Sequence, residues 1–358
     1  MSGYNVMIPS VCRDRAPEVT LPLMDALQEL GHTPVVLDMQ SIASMYQQIR
    51  YASHGCYEIF SFYVKDLIKK QQIDFAISVG LAAIMEDETR HEAHHLPEEC
   101  GIPNMIYLTG RDASCLAKLQ QVGASGWGNT FIACGTQSLR DALAEQGISN
   151  SIHMPPGTNL RLFYPRMRPP ANAAFPVRMD DEWLTADYDV SFVGRYDMLR
   201  EQYLCALLDA GVRLAIWGDQ GWAQSARLRP CYRREARYLV DVNTIYNASK
   251  INLDLPHAMS TYPDYVSQRV LDCLASQNFL ATWRRPGLQG IVEVDHEVAT
   301  FGDERELVQL VPYYLEQELE AHRIATRANG RVKEQCSWRQ RLEHALPQLE
   351  MRLLTTSV

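Results

Sequence analysis

Three stretches of this chain hold residues whose types and spacing could do chemistry. The first, "HEAHH" at 91–95, spells His-Glu-x-x-His. On a helix that spacing sets two imidazoles one turn apart to hold zinc, with the intervening Glu placed to activate a bound water. A zinc helix is packed behind its metal and needs apolar neighbours. Here "MEDETRHEAHHLPEEC" is polar on nearly every side, and Pro97 would end or distort a helix just past His95. The stretch reads as a polar loop or short helix, and no metal is expected.

The second stretch is "VSFVGRYDMLREQ". A strand ending at Val193 runs into Gly194, which lets the backbone turn sharply and expose N–H groups. Arg195 follows, and Arg200 lies in the first turns of the next helix. Open N–H groups and the dipole at a helix N-terminus favour phosphate. The third is "PDYVSQRVLDCLAS", in which Asp264 and Asp272 bracket seven residues. Ser267 is placed to cap a helix, Arg269 falls in its first turn, and Val270, Leu271 and Leu274 would pack it down. The plain alternative is an amphipathic helix with an Arg269–Asp272 ion pair.

The elements that must position these residues alternate along the chain. Strands are expected at 4–8, 33–38, 73–80, 102–110 and 129–136. Between them lie helical stretches, the last opening on Ser138 and stopping at Gly147. Residues 155–183 hold six prolines and little helical period, so they read as a linker or a wrapping loop. Alternation then resumes with strands at 188–194, 213–219, 250–256, 278–283 and 297–301, a helix at 267–276, and an almost wholly helical end. Strand–helix alternation implies parallel sheets covered on both faces. The expected class is α/β, with two Rossmann-like domains facing each other across a cleft. Residues 1–165 would form the N-terminal domain, 166–187 a linker, 188–335 the C-terminal domain and 336–358 a terminal helix packing back toward the first.

Composition bounds the function. Of 358 residues, 46% are hydrophobic and 22% charged, enough material for two cores. A net charge of -9 argues against a surface that coats nucleic acid. No apolar run is long enough for a membrane span, and no leader segment is read at the start. Nine cysteines, scattered singly, suggest free thiols in the cytoplasm. The arginine-rich run "RLRPCYRREAR" (227–237) reads as a solvated face or as a surface for an anionic acceptor. Trp217, Trp222 and Trp283 could stack on a base or sugar, or line the core.

Taken in order, the strand-Gly-Arg turn, "IWGD", "YNASKINLDL", "SQRVLDCLASQNFLAT", "EVATFGDERELVQLVPYYL" and "SWRQRLEHAL" resemble the C-terminal half of GT-B glycosyltransferases. The resemblance spans roughly 188–345 and is to the CgeB-like (spore-maturation-protein-like) branch with a family-1-like transferase domain. Arg269-Val270-Leu271-Asp272 stands where that group has an Arg-Val-Phe-Glu-type helix start, Glu306-Leu307 opens the helix after the last strand, and Trp338-Arg339-Gln340-Arg341 begins the terminal one. The chain departs from the pattern in three places. Asp264 and Asp272 replace a Glu-x7-Glu pair, Gln277 stands where glycine is usual, and the lysine that accompanies the phosphate arginine is missing unless Arg200 serves.

The resemblance implies a nucleotide diphosphate sugar as co-substrate, with no cofactor and no metal. Gly194, Arg195, Arg200, Gly218, Asp219, Ser267 and Arg269 would bind the donor. Asp112, His94, Asp264 and Asp272 are the catalytic candidates, with Glu86 and His91 as further possible bases. The acceptor could be a glycan, protein, lipid or small molecule. A non-catalytic nucleotide-sugar binder, a GT-B-fold epimerase and a zinc peptidase are the alternatives.

Overall fold

The computed structural model describes residues 3–10, 17–38, 56–79, 101–110, 130–166, 177–179, 182–184, 188–238, 241–258 and 262–356. The chain divides into two compact units, Met1–Pro156 with Trp338–Val358, and Gly157–Ser337.

In the first unit, β1 (Asn5–Ser10), β2 (Thr33–Asp38), β3 (Phe75–Val79), β4 (Asn104–Leu108), β5 (Thr130–Cys134) and β6 (Ser151–His153) form a parallel sheet in the order β2-β1-β3-β4-β5-β6. β4 and β5 are buried along their whole length, as strands covered on both faces must be. The terminal helix Trp338–Thr356 completes this core. Its Trp338, Leu342, Ala345, Leu346 and Leu349 join Val19, Leu23 and Leu27 of the helix Pro17–Glu29. Each fully buried leucine among them contributes roughly 1.5–3 kcal/mol of transfer free energy. The helix Gln137–Glu145 opens one turn-position earlier than expected. Its cap is Thr136, whose extended backbone lets its hydroxyl accept from the Leu139 N–H at 3.2 Å.

A short antiparallel pair, β7 (Val177–Met179) and β8 (Glu182–Leu184), lies inside the proline-rich stretch and had no signal in the sequence. The second unit then builds β9 (Tyr188–Val193), β10 (Leu214–Trp217), β11 (Ser249–Asp254), β12 (Leu280–Trp283) and β13 (Ala299–Phe301) into a parallel sheet ordered β10-β9-β11-β12-β13. The chain runs outward from β9 to β10 and then returns past β9 to β11. Its winding therefore reverses between β9 and β11, where open α/β sheets leave a crevice beyond the strands' carboxyl ends.

Residues 157–166 are part of the second unit. Phe163 is buried against Tyr238 and Tyr246, with ring centroids 5.4 and 6.3 Å apart. The Arg166 N–H donates to Asn247 Oδ1 at 2.7 Å. Thr158 and Ser337 form a parallel bridge, and the Thr158 N–H donates to the Cys336 carbonyl at 2.9 Å, so the two connections between units are stitched together on the second unit's side. Among the described residues no helix is long and apolar enough to cross a membrane.

Candidate active site

β9 ends in a turn that has no room for a side chain. A Cβ on Gly194 would come within 2.7 Å of the Phe192 ring and 2.8 Å of Arg269 Nη1. The exit of β10 presses on the same turn, since a Cβ on Gly218 would meet the Gly194 carbonyl oxygen at 2.0 Å. The turn is braced from that side throughout. Gly194 N–H donates to Trp217 O and Trp222 Nε1–H donates to Gly194 O, both at 2.8 Å. The Asp219 carboxylate accepts from the N–H groups of Tyr196 (3.3 Å) and Gly221 (3.0 Å).

The N–H groups of Gly194 and Tyr196 are already spent inside the protein, so they are not open to a ligand. Gly218 and Asp219 belong to the brace, on the β10 side of β9 and away from the point of reversal. The helix Met198–Asp209 that follows is capped by Asp197, whose Oδ1 accepts from Leu199 N–H at 2.9 Å. A carboxylate thus stands at that helix end, where the sequence suggested a phosphate.

The cations are arranged in three ways. Arg195 is exposed, and among the described residues its guanidinium has no partner. Arg200 is only 3% exposed. It donates from Nη1 to the Arg195 carbonyl at 3.0 Å and from Nε to the Pro256 carbonyl at 3.2 Å, with its guanidinium carbon 5.5 Å from the Phe192 ring centre. Arg200 therefore ties the turn after β9 to the turn after β11. Arg269 is brought to the same place from another segment. The helix Gln268–Ala275 starts at Ser267, whose hydroxyl caps it and accepts from Arg269 Nε at 3.3 Å. Arg269 Nη1 donates to the Val193 carbonyl at 3.1 Å, which lays the guanidinium on the Gly194 turn. Val270, Leu271 and Leu274 are buried beneath, as expected. Gln277 takes a left-handed φ of 56° just past this helix, a conformation that glycine adopts most readily.

Asp272 is fully buried and faces inward. One oxygen accepts from the Thr158 hydroxyl at 2.7 Å and the other from the Tyr238 hydroxyl at 2.8 Å, and Gln268 Nε2 donates to that same tyrosine oxygen at 2.7 Å. Both carboxylate oxygens are thus engaged by side chains of the scaffold. Asp264 lies half-buried in the turn ahead of Ser267. Asp112 and His94, with Glu86, His91 and the rest of the H-E-x-x-H stretch, lie outside the described residues. Trp217 and Trp222 are fully buried core rings.

Three groups at this edge carried no sequence signal. Asp254, the last residue of β11, is bonded to Arg285 Nη2 and accepts from the Thr282 hydroxyl at 2.9 Å. Arg285 also donates to the carbonyls of Tyr265 and Trp283, each at 3.2 Å, so one buried guanidinium fixes the turn before the Arg269 helix to the ends of β11 and β12. His257, one residue beyond Pro256, sets its Nε2 3.8 Å from Asp197 Oδ2. None of these could be found by spacing, because each pairs residues from separate strand ends.

The arginine-rich run resolves into ion pairs. Arg227 pairs with Asp209, and Arg234 and Arg237 both bond the buried Asp241. Arg233 lies over the Tyr188 ring at 5.0 Å. Burial alone would push the Asp241 carboxyl up, but the hydrogen bonds from Arg234 and Arg237 outweigh it and hold the group at about 2, against an ordinary 3.8.

With this geometry in view, the chain can be compared with known proteins. Residues 200–347 match a family model described as "Glycosyl transferase-like", which covers most of the second unit and the start of the terminal helix. A search of curated protein sequences finds no match. Among solved structures, a glycosyltransferase from Rickettsia africae superposes with a TM-score of 0.66 at 12% identity, covering 99% of each chain. A sucrose-phosphate synthase from Thermosynechococcus elongatus gives 0.67 at 13% identity, over 98% of this chain and 99% of that one. Anabaena HepE, solved with UDP and glucose, gives 0.66 at 12% identity over 97% and 100%. The fold is GT-B, with two parallel α/β sheets, and within the second unit residues 200–337 fall inside the stretch similar to the glycosyltransferase-like model.

Proposed function

We propose that this chain is a glycosyltransferase that holds a nucleotide diphosphate sugar at the carboxyl edge of β9–β13, with a UDP-sugar as donor, and passes the glycosyl group to an acceptor hydroxyl. The observation that carries the reading is the meeting of Arg269 with the Gly194 turn, beside the unpartnered Arg195, at the point where the sheet's winding reverses. The choice of UDP draws on the relative solved with that nucleotide. Membership of the CgeB-like branch, and a cytoplasmic setting for the scattered thiols, belong to the same reading.

In the reaction, the bond from the anomeric carbon to the diphosphate oxygen breaks and its electron pair stays on that oxygen. The acceptor oxygen bonds to the anomeric carbon and gives up its proton. Arg195 and Arg269 stabilise the charge growing on the leaving group, a task guanidinium groups can perform without a metal ion. Arg200, Gly218 and Asp219 shape the turn that presents them. Asp264 is assigned to the sugar's hydroxyl groups. Asp272 is assigned to positioning, since its two oxygens are held by Thr158 and Tyr238. Asp112 and His94 are assigned to the acceptor's proton.

A thermal-shift panel of UDP, GDP, dTDP and CMP with their sugars tests the reading. A ligand that binds only the folded protein, present at 100 times its Kd, adds about 2.7 kcal/mol to stability. A UDP-sugar is expected to raise Tm by several degrees and to release UDP slowly without acceptor. A shift with no UDP release would indicate a binder, and an isomerised sugar with no free nucleotide an epimerase. No shift with any nucleotide overturns the proposal.

A further inference from the structure

Arg285 and Asp254 form an ion pair buried at the carboxyl edge, with exposures of 8% and 4%. Asp254 ends β11 and Arg285 follows β12, so the pair joins the ends of two neighbouring strands. A pair of this kind is a poor source of stability, because withdrawing two charges from water offsets much of their attraction. Well-packed apolar side chains could hold the same strand ends as firmly. What they could not copy is the fan of donors that a guanidinium holds in one rigid plane.

Each side of that fan has a destination. Nη2 donates to Asp254, whose same oxygen accepts from the Thr282 hydroxyl at 2.9 Å. Nε donates to the Trp283 carbonyl at 3.2 Å, and the guanidinium carbon lies 5.6 Å from the Trp283 ring centre. Nη1 donates to the Tyr265 carbonyl at 3.2 Å. Tyr265 follows Asp264 and stands two residues ahead of Ser267, the cap of the helix that carries Arg269. A second, independent contact seats the same turn. A Cβ on Gly287 would meet the Asp264 carbonyl oxygen at 2.0 Å and Val266 Cγ2 at 3.0 Å. Residues 264–266 therefore rest directly on residues 285–287, and this seat lies between Asp264 and Arg269 in the chain.

We propose that Arg285, oriented by Asp254, is a positioning residue for the donor: it sets where Asp264 meets the sugar and where Arg269 meets the diphosphate. The inference rests on the donor site proposed above. Misplacing the groups that grip a ligand by about 1 Å can cost up to about a hundredfold. A lysine at 285 would keep the charge beside Asp254, but as a point charge on a flexible stem it cannot hold the Tyr265 and Trp283 carbonyls in one plane.

The test uses the full chain, the tightest binder among UDP-glucose, GDP-mannose and dTDP-glucose, and that binder's own nucleoside. Calorimetric Kd values and melting temperatures are taken for the wild type, Arg285→Lys and the apolar double variant Arg285→Met with Asp254→Leu. Arg285→Lys should bind the nucleotide sugar about tenfold more weakly and the nucleoside within about twofold of the wild type. The double variant should melt within a few degrees of the wild type and still show the weakened sugar binding, which a pair serving stability alone would not predict. Wild-type affinity for the nucleotide sugar in either variant, or an equal loss for the nucleoside, overturns the inference while leaving the donor site standing. If the double variant does not fold, Arg285→Lys decides alone. Failure of the wild type to bind any of the three sugars overturns the donor site itself.

Discussion

Arg227, Arg229, Arg233, Arg234 and Arg237 crowd one short segment, whereas Arg195, Arg200 and Arg269 come from separate parts of the chain. The dense run is the stronger anion signal in a sequence, and the weaker one in the folded molecule. Arg227, Arg234 and Arg237 face Asp209 and Asp241, and Arg233 lies on a ring. At the carboxyl edge, Arg200 and Arg269 are positioned by carbonyl and hydroxyl oxygens, and Arg195 stands exposed. A carboxylate cancels a guanidinium's charge, while a carbonyl aims the group and leaves its charge available. What a neighbouring anion experiences depends on that difference more than on the number of arginines.

The comparison can be broken most directly at Arg269. Arg269→Ala is expected to weaken nucleotide diphosphate binding about a hundredfold, or about 2.7 kcal/mol, while nucleoside binding stays within about twofold. Isothermal titration with UDP and uridine measures both, and equal losses would place Arg269 outside the phosphate site.

The dense run should instead report on stability. Asp241 titrates at about 2 when folded and near 3.8 when unfolded. Its contribution is therefore fully present above pH ~4 and lost as pH falls toward ~2. It amounts to 1–2 kcal/mol, on the order expected once screening of the half-exposed guanidiniums is allowed for. Asp241→Asn should lower the urea midpoint at pH 7 and flatten that acid limb, with diphosphate affinity unchanged. A loss of affinity equal to that of Arg269→Ala would erase the distinction between the two groups.

The smallest effect belongs to Arg229, which is exposed and has no side-chain partner among the described residues. Arg229→Ala should change stability by less than about 0.5 kcal/mol and leave UDP affinity as it was. A clear drop in affinity would move the anion site to this face.

Much of the architecture was legible because it follows from local pattern. The runs at 33–38 and 188–194 became β2 and β9 nearly residue for residue, since short stretches rich in β-branched and apolar side chains favour a strand. Ser267 was readable as a cap because the cap's chemistry is local. β6, with three residues, and the β7–β8 pair were too short to show a period. That Asp219 braces a turn was not legible, because the backbone N–H groups it meets come from both turns, after β9 and after β10.

The sequence by itself determined two α/β halves, the Gly194–Arg195 turn, and a capped helix carrying Arg269. All of these depend on neighbours a few residues apart, where spacing alone sets which face a side chain takes. Only the tertiary structure decided which charged groups remain available to a ligand. Asp272 turned inward to Thr158, Asp254 to Arg285, and His257 toward Asp197. Those partnerships join strand ends distant in the chain, and the cost of burying an unpaired charge selects them only once the sheet has brought the ends together.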